Sequence, residues 1–272
     1  MAVANRPLHL TKLYEGHERS RASFAMYLAK TFAARAGLTS WEGVRILDLG
    51  CGNGNIARLF ASLGAHVTGV ECDLGRVSGI LREQPNFNVI AADGHNLPLD
   101  DKSFDFVILS DVLEHVYDPA RMLREVARVI RPGGMAYIGA TNRTSFVNIM
   151  FDPHYNAPLI PLMSKRVATW YVTRFLKFSN TFNVEKYFVR GEFLACIETA
   201  GFTCDNLPIY QDKLRVSELA TAPGRKILQT ALSAPGFRRF AVWIAGTLPF
   251  EYFLAPGLNF LCVRTTESYC MM

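Results

Sequence analysis

The stretch VRILDLGCGNG, residues 44–54, decides the fold. Its first half is a short apolar run, and its second half breaks at Gly50, Gly52 and Gly54 before NIARLFASLG (55–64), which reads as a helix closed by a capping glycine. A glycine-rich turn from strand to helix exposes backbone amides that a side chain would screen, so the turn suits a bound ligand. The dinucleotide fingerprint would need glycine at 55, where the chain has Asn55, and the Gly-Lys-Ser/Thr of a nucleotide-triphosphate loop is absent. The loop alone leaves the ligand open, and the acids at later strand ends have to identify it.

Downstream, HVTGVE (66–71), FNVIAAD (87–93), FDFVILS (104–110) and GMAYIGAT (134–141) are short, almost wholly apolar runs, with a helix expected over 119–130. Such strands separated by helical spacers imply a parallel sheet covered on both faces. Residues 40–142 thus read as a doubly wound α/β core. Glu71, ending the second strand, can accept both hydroxyls of a ribose, and Asp93, ending the third, can accept from an exocyclic amine. Together they describe a nucleoside site without a phosphate cradle.

Upstream, residues 8–37 carry Phe24, Leu28 and Phe32 at helical spacing and end at Gly37, so residues 1–39 read as an N-terminal helical lid. Beyond the core, residues 143–190 form an insertion rich in aromatic and basic residues, expected to build a substrate pocket. Residues 191–272 return to the sheet through a helix (190–201), a strand (202–210) and a last strand, NFLCVRTT (259–266). Two helical stretches, 213–234 and 237–248, form a further insertion at about 211–258.

The chain has 272 residues, half of them hydrophobic, enough for one large core. Its formal charge of +5 is scattered apart from short runs at 164–166, 224–226 and 237–240, too mild to argue for nucleic acid. Six cysteines show no CxxC spacing and the N-terminus lacks a basic start before an apolar run, so a reducing, cytoplasmic setting is expected. The most apolar stretch, 240–263, is broken by Pro249, Glu251, Pro256 and Gly257, short of a membrane span.

In order and spacing, VRILDLGCGNG, GVE, ADGHNLPLDDKSFDFVILSDVLEHV and EVARVIRPGGMAYIG resemble the successive motifs of class I S-adenosylmethionine-dependent methyltransferases. The resemblance implies a seven-stranded sheet of order 3-2-1-4-5-7-6 with strand 7 antiparallel, interrupted by helical insertions. It implies that Asp48, Gly50, Gly52 and Gly54, with Cys51 among them, hold the amino-acid part of S-adenosyl-L-methionine. Glu71, followed by Cys72, would take the ribose, Asp93 and Gly94 the adenine, and Ser110 would border the reaction centre. The product would be S-adenosyl-L-homocysteine.

A second resemblance concerns the acceptor. GATNRTS (139–145) with DVLEHV is similar to the ubiquinone-biosynthesis O-methyltransferases, which implies a phenolic, lipid-tailed acceptor and membrane contact by the segment after strand 5. Lys165, Arg166, Arg174 and Lys177 stand there among large apolar residues, as on a peripheral membrane surface, or as on a helical lid packed on the core. DPHYNAP (152–158) and the long stretch 211–259 depart from that pattern and suit an isoprenoid, glycan or specialised-metabolite acceptor equally. A hydroxyl oxygen is the expected methyl acceptor, with a carbon or amine centre as the rival. A cofactor-holding module without chemistry, or an RNA-binding enzyme, is the rival of another class, and no RNA-binding domain is seen.

In SDVLEHVYDP (110–119), Asp111 and Glu114 fit a helix cap, Asp111 bonding first-turn amides and Glu114 reaching back. A divalent-ion site would need more than D-x-x-E-H, His154 being the one later histidine, and no metal is predicted. His115 stands right after strand 4 with a pKa suited to proton transfer, or packs there as a structural histidine. His154 is the second candidate base, and Tyr14 and Tyr155 are candidate pocket residues.

Overall fold

The computed structural model describes residues 8–207 and 255–265. Helix α1 (Leu8–Ala36) leads into β1 (Arg45–Leu49), α2 (Asn55–Ser62), β2 (His66–Glu71), α3 (Leu74–Arg82), β3 (Asn88–Ala91) and β4 (Phe104–Ser110). Next come α4 (Pro119–Val129), β5 (Ile130–Thr141), two short helices, α5 (Phe146–Met150) and α6 (Lys165–Trp170), then α7 (Arg190–Thr199), β6 (Phe202–Asn206) and β7 (Gly257–Arg264). One sheet of order β3-β2-β1-β4-β5-β7-β6 results, with β7 antiparallel to both neighbours, as the resemblance implied.

Alternation along the central strands explains their apolar composition. Ile46, Phe106, Ile108, Tyr137 and Leu261 pack on the face covered by α1 and α2, while Leu47, Leu49, Val107, Leu109, Ile138 and Phe260 pack on the face of α4 and α7. Phe32 of α1 lies 4.7 Å from Phe106 and 6.4 Å from Phe60 of α2, ring to ring, so α1 is fastened to the sheet by a fully buried aromatic.

Two differences from the sequence reading, at β5 and at Cys204–Cys262, have physical causes. The helical spacer between β2 and β3 is α3, which forms although Gly75 and Gly79 lower its propensity. The Asp73 side chain secures it by accepting from the Gly75 and Arg76 amides at 2.7 and 3.1 Å. Strand β5 begins four residues earlier than expected, with a register shift between Phe104 and Phe106 that absorbs Arg131–Gly134. Cys204 and Cys262, register partners on β6 and β7, form a disulfide, which departs from the reduced thiols that the spacing suggested. Strand pairing, invisible as spacing, brings them together.

Among the described residues no helix is long and apolar enough to cross a membrane. The helices expected over 213–234 and 237–248 lie outside the described residues, as does the side chain of Tyr14.

Candidate active site

The carboxyl ends of β1, β2, β3 and β4 open on one edge of the sheet, where ligands of open α/β sheets collect. The glycine loop crosses it, held by Gly50 and Cys51 amides that both donate to Val70 O, at 2.8 and 3.0 Å. Gly52 has φ +59° and, among the described residues, nothing within 4 Å of where a Cβ would stand, so a ligand can reach its backbone. Gly54 is glycine for a different reason, since its Cβ would meet Phe87 Cζ at 2.6 Å.

Asp48 is buried beneath this loop, and its Oδ2 has no partner among the described residues. Burial pushes its carboxyl up to about 7. Glu71 is also buried; its Oε2 accepts from Gly52 N–H at 3.0 Å and its Oε1 from Asp73 N–H at 2.9 Å, with Arg76 3.6 Å away. Cys51 is buried, which raises its thiol to about 12, while Cys72 is exposed with Sγ 3.5 Å from Glu71. Asp93 takes the His95 amide (2.9 Å) and Nδ1–H (2.6 Å) on Oδ1, and the His95 amide bond leads in holding its pKa below the usual range. Gly94 abuts Met122, whose Cε would lie 2.4 Å from a Cβ.

After β4 the chain departs from the capping expected of Asp111 and Glu114. Asp111 adopts φ +56° and its amide donates to Gly139 O of β5, while its Oδ2 accepts from Ser110 Oγ at 3.3 Å. Only a single 3-10 turn, Leu113–His115, comes next, with no side-chain cap. The residue that opens this turn is Val112, one place after Asp111. The cap lies further on, where Asp118 accepts from Arg121 N–H of α4 at 2.9 Å.

Glu114 instead turns inward. It is fully buried, and its Oε1 accepts from Thr141 N–H (3.1 Å) and Oγ1–H (2.7 Å), leaving Oε2 without a partner among the described residues. Burial first, then the Asp111 charge, raises its carboxyl to about 7. Beside it, His115 Nδ1 lies 2.8 Å from Asn183 O. A carbonyl only accepts, so Nδ1 carries the proton and Nε2 is the free lone pair. Burial leads in lowering this imidazole's pKa, which favours the neutral ring.

The insertion supplies the rest. His154 meets His115 edge to face at 5.0 Å, and one ring nitrogen of each lies within 4.8 Å of the other and of a Glu114 oxygen. Asp111 stays outside this group, so the D-x-x-E-H pattern does not gather as a unit; a carboxylate with two imidazoles is what could approach a cation. The segment is stitched to the turn by the Glu185 and Lys186 amides, which both donate to Glu114 O, at 2.7 and 3.1 Å. Tyr155 stacks on Phe182 at 5.2 Å, and its Oη accepts from Asn183 N–H at 2.8 Å. Alongside lies a cavity of ≈ 190 Å³ lined by Arg143, Ile160, Met163, Phe182, Val184 and Tyr187 among others.

Sequence reasoning missed Asp152, Tyr187 and His95. DPHYNAP held a signal for the first, since an aspartate ahead of a proline favours a turn in which its side chain binds the following amides. Asp152 Oδ1 does this with His154 and Tyr155 N–H, at 3.0 and 2.8 Å.

Comparison with known proteins adds the chemistry. Residues 47–138 match the family model described as a methyltransferase domain. The chain is 32% identical over 135 residues to a probable S-adenosylmethionine-dependent methyltransferase of Mycolicibacterium smegmatis, covering 50% of this chain and 51% of that protein. It is 36% identical over 129 residues to a ubiquinone biosynthesis O-methyltransferase of Aeromonas salmonicida, covering 44% and 53%. The chain thus spans about half the length of the curated relatives it matches. Among solved structures, an S-adenosylmethionine-dependent methyltransferase from Mesorhizobium loti is similar with TM-score 0.54 and 21% identity, covering 85% of this chain and 96% of that one. The Haemonchus contortus phosphoethanolamine N-methyltransferase 2, in complex with S-adenosyl-L-methionine, gives TM-score 0.56 at 18% identity, covering 90% and 53%. The motif resemblance is borne out: residues 47–138 form a class I methyltransferase domain, of the kind whose cofactor is S-adenosylmethionine.

Proposed function

We propose that the whole chain is an S-adenosylmethionine-dependent methyltransferase that methylates a hydroxyl oxygen of a small, partly apolar acceptor. The observation that carries this reading is the pairing of His115 and His154 beyond β4, within 4.8 Å of each other and of a buried carboxyl group. An oxygen acceptor needs its proton removed, and a neutral imidazole is suited to that at neutral pH.

The residues at the strand ends fit the cofactor. The buried Asp48 oxygen and the ground over Gly52, the one without a partner and the other open among the described residues, suit its amino-acid part. Glu71 has lone pairs beyond the two amides it already binds, and Asp93 keeps Oδ2 for a donor. When bound, the cofactor supplies an electrophilic methyl group on a sulfonium. The chain's part is to align the acceptor, exclude water and take the proton. His115, with Nδ1 committed to Asn183 O, presents Nε2, and His154 stands beside it as the second base.

The outer face of the insertion supports a lipid-tailed acceptor drawn from a membrane surface. Leu162, Val167, Trp170, Phe175 and Phe178 are exposed there, with Arg166, Arg174 and Lys177 between them. Apolar side chains interleaved with cations are the composition of a segment lying on anionic lipid.

The test is methyl transfer from radiolabelled cofactor to matched acceptors carrying a phenolic hydroxyl, an amine or an activated carbon, with RNA as a fourth substrate. Product on the hydroxyl acceptor alone is expected. Label found only on amine, carbon or RNA would overturn the reading.

A further inference from the structure

We infer that Asp152 and Tyr187 are positioning residues that lock His154 in the tautomer with its proton on Nδ1, so that Nε2 is the atom that takes the acceptor's proton. The inference rests on the methyl-transfer reading above and selects between its two candidate bases.

The geometry fixes the protons one by one. Asp152 is 1% exposed; its Oδ1 is filled by the His154 and Tyr155 amides, and its Oδ2 accepts the Tyr187 hydroxyl proton at 2.5 Å. Tyr187 has one proton, and it is spent on that bond. Burial and the adjoining carboxylate raise its pKa, so the phenol stays protonated. Its oxygen is left only as an acceptor. The ring atom facing it, 3.5 Å away, is His154 Nδ1, which also lies 3.8 Å from Asp152 Oδ2. A nitrogen that faces an acceptor on one side and a carboxylate on the other carries the hydrogen, and Nε2 is then the lone pair. Among the described residues, the remaining groups facing His154 are the His115 ring at 5.0 Å, the Tyr155 ring at 6.4 Å and the carboxyl of Glu114.

The two histidines therefore differ. His115 Nδ1 is anchored to a neutral carbonyl, while His154 leans on a buried carboxylate that stabilises the ring once it becomes cationic. As the acceptor oxygen forms its bond to the methyl carbon, the carbon–sulfur bond breaks with its electron pair left on sulfur. The hydroxyl proton passes to His154 Nε2, and the positive charge moves from sulfonium to imidazolium, facing Asp152. Charge and atoms balance without a further reactant.

Ring nitrogen shifts of the histidine-labelled full chain, recorded by NMR and assigned with His154→Gln, test this without acceptor or cofactor. The wild type should show His154 protonated on Nδ1 alone, and Asp152→Asn or Tyr187→Phe should mix or invert the tautomers. Tyr187→Phe leaves both amide bonds of Asp152 in place, so it guards against misfolding of the turn. In transfer assays kcat should fall at least about 10-fold in either variant, part of the 10²-fold or more that general-base catalysis supplies, with KM for the cofactor unchanged. A wild-type His154 protonated on Nε2, or a tautomer indifferent to both substitutions, would overturn the inference. Failure of the wild type to bind S-adenosylhomocysteine would instead count against the methyltransferase reading and leave the tautomer result standing.

Discussion

Residues 45–142 and residues 143–189 make the two halves of the candidate site by opposite means. In the first, each side chain is delivered by the end of a strand in fixed register: Asp48 pairs with Gly69 and Ile108, and Glu71 with Ala91. In the second, irregular chain is held by single long-range bonds, from Asn183 to His115, from Glu185 and Lys186 to Glu114, and from Tyr187 to Asp152. The sheet half carries the strand-end acids and the glycine loop, and the inserted half brings His154 to His115.

Separating the halves by function gives the largest expected effect. His154→Ala should lower methyl transfer by about 10²–10⁴-fold, the range of general acid–base catalysis, and leave S-adenosylhomocysteine affinity intact by calorimetry. If cofactor affinity fell with transfer, the two halves would not be separable.

Glu114 sits on the seam, and its titration reads how dry that seam is. Its carboxyl is raised from an ordinary 4.5 to about 7, so the folded state binds a proton that the unfolded state has released. Its stabilisation is complete below about pH 4.5 and is lost as pH rises to about 7. Denaturant melts of Glu114→Gln against wild type should therefore diverge over that window, the variant gaining by at most about 3 kcal/mol at pH 8. Parallel curves would mean that water reaches the carboxyl.

Within the sheet half, Gly54→Ala should cost about 1–3 kcal/mol of stability through the Phe87 contact. Gly52→Ala should cost less stability and weaken cofactor binding more, because the space over it is open. The smallest effect belongs to the insertion's outer face. Trp170→Ser with Phe175→Ser should reduce sedimentation with phosphatidylglycerol-containing vesicles by roughly 10-fold, from lost apolar burial. Unchanged sedimentation would remove membrane contact from the account.

The sequence made the sheet half readable because its strands are apolar throughout and its loops carry glycine and acid at strand ends. Even there α3 had no legible bounds, since two glycines interrupt a helix that Asp73 caps. The inserted half offered no period. That His154 meets His115 depends on bonds spanning 68 residues, from Asn183 to His115, which no local pattern records. Glu114 misled for the same reason: its spacing from Asp111 suits a cap, but its partner is Thr141, 27 residues away on β5. The Cys204–Cys262 disulfide likewise depends on strand register alone.

We propose that Asp48, the glycine loop, Glu71 and Asp93 together form the S-adenosylmethionine site. Calorimetric titration of the full chain with S-adenosylhomocysteine, wild type against Glu71→Ala, tests it most directly. Saturable binding by the wild type and at least about 10-fold weaker binding by the variant are expected, the value of hydrogen bonds to a charged group. No binding by the wild type, or equal affinity in the two proteins, would contradict it.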